Sequence, residues 1–111
     1  MKFTTKDIYN AVVIKFKGQL VGGPEAEDFH KVLSDSIAAG KKNVIVDLSD
    51  VGFVNSTGIG IVVRGYTTMK EAGGALKLAG VTNKLEGLLS VTKLTSVFEL
   101  HKDVDEASKS F

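Results

Sequence analysis

The 111-residue chain has 43% hydrophobic and 24% charged residues, an ordinary balance for one soluble domain and too apolar for a disordered segment. A formal charge of +1 excludes a global field that would draw nucleic acid or an anionic membrane, and zero cysteines exclude disulfides, thiolate metal sites and a cysteine nucleophile. Residues Met1 to Asn10 lack the apolar core of a secretory signal and no apolar run reaches membrane-spanning length, so a cytoplasmic protein without direct membrane insertion is expected.

Thr4 to Tyr9 can form a first strand, and Ala11 to Lys17 alternates Val12, Ile14 and Phe16 with Val13, Lys15 and Lys17, the period of a half-buried strand. Gly22, Gly23 and Pro24 break the chain. Pro24 suits a first helical position, with Glu25 and Glu27 in a favourable acidic first turn. The helix that follows carries the apolar stripe Phe29, Val32, Leu33 and Ile37, keeps Lys31 and Asp35 in solvent, and stops at Gly40. Val44, Ile45, Val46 and Leu48 are nearly continuous apolar residues, which predicts an interior strand covered on both faces.

From Ser56 to about Ala72 the period is helical again, with Ile59, Val62, Val63, Tyr66 and Met69 on one stripe and Gly73-Gly74 as the stop. Ala75 to Ala79 reads as a strand, and Thr82 can cap a helix bearing Leu85, Leu88 and Leu89. Val97, Phe98 and Leu100 suggest a short last strand, and Asp103 with Glu106 resembles a capping box for a final helix. The expectation is therefore a single α/β domain over residues 1–111, with a mixed, mostly parallel sheet, an N-terminal hairpin and about four helices.

The informative stretch is Asp47-Leu-Ser-Asp-Val-Gly-Phe-Val-Asn-Ser-Thr-Gly-Ile-Gly-Ile61, which leaves the interior strand and enters the second helix. Asn55, Ser56 and Thr57 lie where the helix needs a side-chain acceptor for its orphan amides. Each interior helical glycine costs about 1 kcal/mol relative to alanine, so Gly58, Gly60 and Gly65 require either close approach by another backbone or partner, or tight packing of the helix on its own sheet.

This stretch resembles the signature of the STAS family, the domain of sulfate transporters and anti-sigma-factor antagonists, in which Asp-Ser-Ser-Gly-Leu or a similar segment follows an Asp-Leu-Ser strand. Gly18, Ala39-Gly40, Gly73-Gly74 and Phe98 also lie where that family would have them, so the resemblance covers nearly the whole chain. It implies a STAS-like fold and a binding protein in place of an enzyme. In the resembled antagonists the first serine of the segment is phosphorylated by an anti-sigma factor that is itself an ATP-dependent serine kinase, and a serine phosphatase resets it. The matching residue is Ser56, Thr57 matches the non-acceptor position, and Asn55 departs from the usual Asp. The expected partner surface is Asn55, Ser56, Thr57 and Gly58 at the matched segment, joined by Ile61 and Arg64, which fall off the inward stripe of the helix and are expected to be exposed; the resemblance implies no cofactor of the protein's own.

Three other readings stand beside it. Ser56 could be a helix cap alone; the same helix could dock a partner without phosphorylation, as a STAS subunit of a lipid or anion transport complex or a signalling scaffold; or Ser56 could serve a small hydrolase, for which neither base nor oxyanion site is evident. His30 and His101 have no metal-type neighbours and read as surface residues. Asp47 and Asp50 read as capping and turn residues, Lys15, Lys17 and Lys41-Lys42 as solvated charge, and Asn55-Ser-Thr as a chance glycosylation sequon. No phosphate loop or nucleic-acid motif is present.

Overall fold

Alternating apolar residues at the N-terminus produce a hairpin: β1 (Lys2–Ile8) runs antiparallel to β2 (Ala11–Leu20), with Phe3 opposite Phe16 and Lys2 opposite Lys17. The structure is a computed structural model that describes residues 2–91 and 97–111, excluding the side chains of residues 84, 88 and 91. After the hairpin, α1 (Glu25–Ala38), β3 (Asn43–Val54), α2 (Ser56–Glu71), β4 (Ala75–Ala79), α3 (Asn83–Val91), β5 (Leu100–His101) and α4 (Val104–Lys109) complete the chain. The sheet order is β1-β2-β3-β4-β5, and every pairing after the first is parallel. This is the α/β architecture with a mixed sheet and four helices that the patterning predicts.

β3 is interior, as its apolar run requires, and Val44 to Leu48 are all buried. One sheet face packs on α1, α2 and α3. There Phe3, Phe16 and Phe29 form a ring cluster with centroids 5.1–6.3 Å apart, next to Leu33, Val62 and Met69. Each fully buried side chain of this kind contributes about 1.5–3 kcal/mol over its exposed state. In the α1 stripe Phe29 and Leu33 are buried and Val32 and Ile37 half-buried; in α2, Ile59, Val62 and Met69 are buried, while Val63 and Tyr66 are half-buried. Tyr66 meets Phe98 edge-on at 5.3 Å.

The other face is covered more sparingly, by α4 over Ala11, Val13, Ile45 and Ala79. That cover corrects the reading of His101, whose side chain is only 10% exposed beneath it. His30 is corrected as well: it is buried on α1, next to Phe29. The last strand is shorter than expected, because Val97 and Phe98 form a turn and only Leu100–His101 pair with β4.

The caps agree with the sequence in kind and differ in detail. Thr82 Oγ1 accepts the Leu85 N–H at 3.3 Å, while Leu88 of that predicted stripe is outside the described side chains. Asp103 accepts the Glu106 N–H at 2.8 Å, but the Glu106 carboxylate faces His101 at 3.7 Å in place of closing the box. Pro24 stands one residue earlier than expected, at the cap of α1 with helical φ of −58°. Asp47 makes its turn bond to the Ser49 N–H at 2.9 Å, whereas Asp50 pairs with Lys15 at 3.3 Å.

Candidate functional site

At the C-terminal end of β3 the chain leaves the sheet in extended geometry at Asn55, with φ −116° and ψ 179°. Its carbonyl already accepts the Ile59 N–H at 3.0 Å, and its Oδ1 accepts the Gly58 N–H at 2.9 Å. Asn55 is therefore the cap of α2, and Ser56 is the first helical residue. Asparagine caps as well as aspartate, so replacing the family's usual residue leaves the helix start intact. Ser56 and Thr57 are both exposed, and among the described residues the Ser56 hydroxyl has no hydrogen-bond partner. The reading of Ser56 as a cap alone is thus displaced by its neighbour.

Gly58 explains why this turn can lie where it does. A Cβ there would fall 1.7 Å from the Leu20 carbonyl oxygen and 2.5 Å from its carbon, so the first turn of α2 rests on the backbone end of β2. No other residue type fits without moving the helix. Gly65 meets side chains instead, with Phe29 and Leu33 3.0–3.1 Å from its would-be Cβ, which is α1 packing on α2. Gly60 has neither reason: it is exposed, and a Cβ on it would meet nothing within 4 Å.

The loop between β2 and α1 completes the surface. Gly22 has φ +97°, and a Cβ there would lie 2.9 Å from Thr57 Cγ2 and 3.8 Å from Ile61 Cδ1. Ile61 differs from expectation, being half-buried and packed on the core; its side chain fills the space under that loop. Arg64 is exposed as predicted and lies 3.5 Å from Glu27 of α1. With side-chain exposures of 62% and 79%, that pair is worth well under about 1 kcal/mol.

His30 is 8% exposed, and both its ring nitrogens are buried and lack hydrogen-bond partners among the described residues. Burial pushes the imidazole below its ordinary range, the Arg64 guanidinium adds to this, and Glu27 works against it. These influences together favour the neutral form of the ring. Sequence reading missed this residue and Gly22: the glycine pair reads as a chain break, and nothing in the stripe of α1 marks position 30 as buried.

A second polar group gathers under α4. Lys77 of β4, its side chain 10% exposed, donates to Glu99 Oε1 at 3.2 Å, to the Ser110 carbonyl at 3.0 Å and to Ser110 Oγ at 2.6 Å, with its ammonium 4.4 Å from the Phe111 ring centre. His101 Nε2 lies 2.8 Å from Glu99 and 3.3 Å from Ser110 Oγ. Burial alone would raise the Glu99 carboxyl, and the hydrogen bonds from Lys77 and His101 overcome it and hold it below its ordinary value. A serine beside a histidine invites comparison with a nucleophile and base. Here the serine oxygen accepts from an ammonium and donates to the Ala107 carbonyl at 2.7 Å, while the imidazole nitrogen is shared with a carboxylate. The group fastens α4 to the sheet. No cluster of three or more His, Cys, Asp or Glu suited to a metal, and no helix long and apolar enough to cross a membrane, occurs among the described residues.

Comparison with known proteins agrees with this geometry. A putative anti-sigma factor antagonist of Thermotoga maritima is 27% identical over 101 residues, spanning 90% of this chain and 89% of that protein. The anti-sigma-B factor antagonist of Bacillus subtilis is 34% identical over 53 residues, about half of each chain at 48% and 49%. The crystal structure of a putative anti-sigma factor antagonist from Thermotoga maritima superposes with a TM-score of 0.84 at 25% identity, covering 97% of this chain and 92% of that one. The model of the STAS domain matches residues 2–107, and the chain belongs to the STAS domain family.

Proposed function

We propose that this protein is an anti-sigma factor antagonist: a cytoplasmic binding switch that engages an anti-sigma factor with serine kinase activity, frees the sigma factor, and is turned off by phosphorylation of Ser56. The observation that carries the proposal is the division of labour in the β3–α2 turn. Asn55 supplies the cap, which leaves the Ser56 hydroxyl exposed and, among the described residues, unbonded at the first position of α2. A phosphate at that place sits at the positive end of the helix dipole, so the fold tolerates it. On a surface matched to a partner it adds about −1.5 to −2 charge, and desolvation with like-charge repulsion drives release.

The binding surface in this reading centres on Asn55, Ser56 and Thr57, with the β2–α1 loop at Gly22, and with Gly60 and Arg64 farther along α2, whereas Gly58, expected on this surface, is buried against Leu20 and supports the turn from beneath. Ile61 supports the loop from beneath. Exposed Gly60 supports the reading, since a helical glycine without an intramolecular neighbour suits a partner backbone lying flush on α2. The protein is then substrate and ligand: ATP belongs to the kinase, and a serine phosphatase restores the hydroxyl.

Asn55 favours one further reading, a STAS subunit that docks through the same turn without phosphorylation in a lipid or anion transport complex or a signalling scaffold, because the substitution removes a negative charge next to the acceptor. Incubation with the co-encoded anti-sigma kinase and ATP, followed by mass spectrometry and titration of Ser56→Ala and Ser56→Asp, separates the two. The switch requires phosphate on Ser56, retained binding by the alanine variant and weakened binding by the aspartate variant. Phosphate elsewhere, or equal affinity of modified and unmodified protein, leaves constitutive docking as the function.

A further inference from the structure

β1 is the open edge of the sheet. Residues Lys2–Ile8 bond only to β2, and among the described residues no other backbone hydrogen bond is made from them. Strand alternation puts Lys2, Thr4 and Lys6 on the face away from the phenylalanine cluster, and the β1–β2 register sets Lys17 and Lys15 directly behind Lys2 and Thr4. Lys15 pairs with Asp50, whereas Lys2, Lys6 and Lys17 have no acidic partner among the described residues. In a protein of formal charge +1 this is a local concentration of cations, and Lys2 directly opposite Lys17 is a like-charge pair that weakens the hairpin. On the inward side of β1, Phe3 is half-buried at the margin of the core, followed along the strand by exposed Thr5 and by exposed Asp7, which pairs with Lys41 at 2.6 Å.

We propose that the β1 edge is a second docking site, which takes an extended segment of a partner protein with acidic residues at alternate positions and apolar residues between them. The occupant follows from the two faces. An added strand aims alternate side chains at Lys2, Thr4 and Lys6, with Lys15 and Lys17 reinforcing the field, and aims the intervening ones past Phe3, Thr5 and Asp7. Carboxylates suit the first set; uncharged groups suit the second, aliphatic where they cover Phe3, because a carboxylate there would face Asp7. The same lysines reject competing occupants. A second copy pairing antiparallel about Thr4 would set Lys2 against Lys6, and a neutral strand would leave the cations uncompensated, so charge that guards an edge also selects its complement. A single-stranded nucleic acid needs a series of stacking aromatics, which this stripe lacks.

The test uses the intact protein and a fluorescein-labelled, end-blocked peptide of alternating Glu and Val matching the seven residues of β1. Anisotropy should show saturable binding, and amide exchange should slow selectively in β1. The double variant Lys2→Glu/Lys6→Glu should weaken binding about tenfold or more, since each exposed pair turns from attraction to repulsion. A peptide N-methylated at every residue keeps its charge and loses all its backbone donors, so it should not bind. This arm leaves the protein unchanged and is independent of variant folding. Equal binding by the N-methylated peptide, or by a peptide with the same residues in two blocks, would reduce the effect to bulk electrostatics and overturn the proposal. So would lysine-dependent binding to phosphatidylserine vesicles or oligo-dT with no binding of the alternating peptide.

Discussion

Two serines mark opposite uses of a helix end in this molecule. Ser110, at the end of α4, has every polar atom engaged: its hydroxyl accepts from Lys77 and donates to Ala107, and its carbonyl accepts from Lys77. Ser56, at the start of α2, has a hydroxyl with no partner among the described residues because the neighbouring Asn55 performs the capping. The first serine belongs to the fold. The second is available to something outside it. A serine's position at a helix end therefore says little about its role until the hydrogen bonds around it are assigned.

The sharpest way to break the Ser56 end is at its support. Gly58→Ala introduces a methyl 1.7 Å from the Leu20 oxygen, and relief requires α2 to lift from β2. We expect a loss of about 3 kcal/mol or more in urea denaturation, at the upper end of overpacking effects. A loss under about 1 kcal/mol would show that the turn has slack. At the Ser110 end the corresponding change is Lys77→Met, which removes the ammonium that joins β4, Glu99 and α4. Because Glu99 is half exposed and can return to water, the expected cost is about 1–3 kcal/mol, below that of breaking a fully buried pair. Amide exchange localised to α4 would mark the loss as that of a fastening.

Smaller effects distinguish the cap from the hydroxyl beside it. Asn55→Ala should cost about 1 kcal/mol and Asn55→Asp almost nothing, since aspartate accepts from the Gly58 N–H equally well. Ser110→Ala should also cost about 1 kcal/mol, whereas Ser56→Ala should stay within about 0.5 kcal/mol of the parent. A Ser56 cost equal to that of Asn55 would mean that the two share the cap.

The architecture and the location of the turn could be read from periodicity and punctuation. The apolar run from Val44 to Leu48, the stripes of both long helices and the stops at Gly40 and Gly73 all survive in the structure. The errors arise where one residue's environment is supplied by a distant segment. His30 and His101 look solvent-exposed in sequence because nothing local shows that the first is buried on α1 or that α4 closes over the second. Lys77 lies in a five-residue strand whose second face looks exposed until α4 closes over it. The choice among Asn55, Ser56 and Thr57 as cap depends on a single residue of phase at the helix start, finer than hydrophobic patterning resolves. Ile61 falls off the helical stripe, yet the loop at Gly22 gives it a second surface to pack on.

Acid separates the two ends of the molecule as well, because each holds a titrating group below its ordinary value for a different reason. His30 is depressed chiefly by burial, so the native ring stays neutral while the unfolded chain takes up a proton as the pH falls through the ordinary value of 6.5. Its contribution to stability is complete above that pH and is lost as the solution is acidified toward the lower native value. Glu99 is depressed by hydrogen bonds from Lys77 and His101 that outweigh its desolvation, and its window opens only below the ordinary 4.5. Both slopes have the same sign, with stability falling as protons are added, but the His30 step comes first. Denaturation midpoints measured from about pH 8 to about pH 5 should therefore decline in the parent and flatten in His30→Leu, which fills the site with a group that never charges. Glu99→Gln should leave that decline in place and reduce the fall seen at lower pH. A decline above pH 5 that survives His30→Leu would assign the acid sensitivity elsewhere and remove His30 as the titrating group on α1.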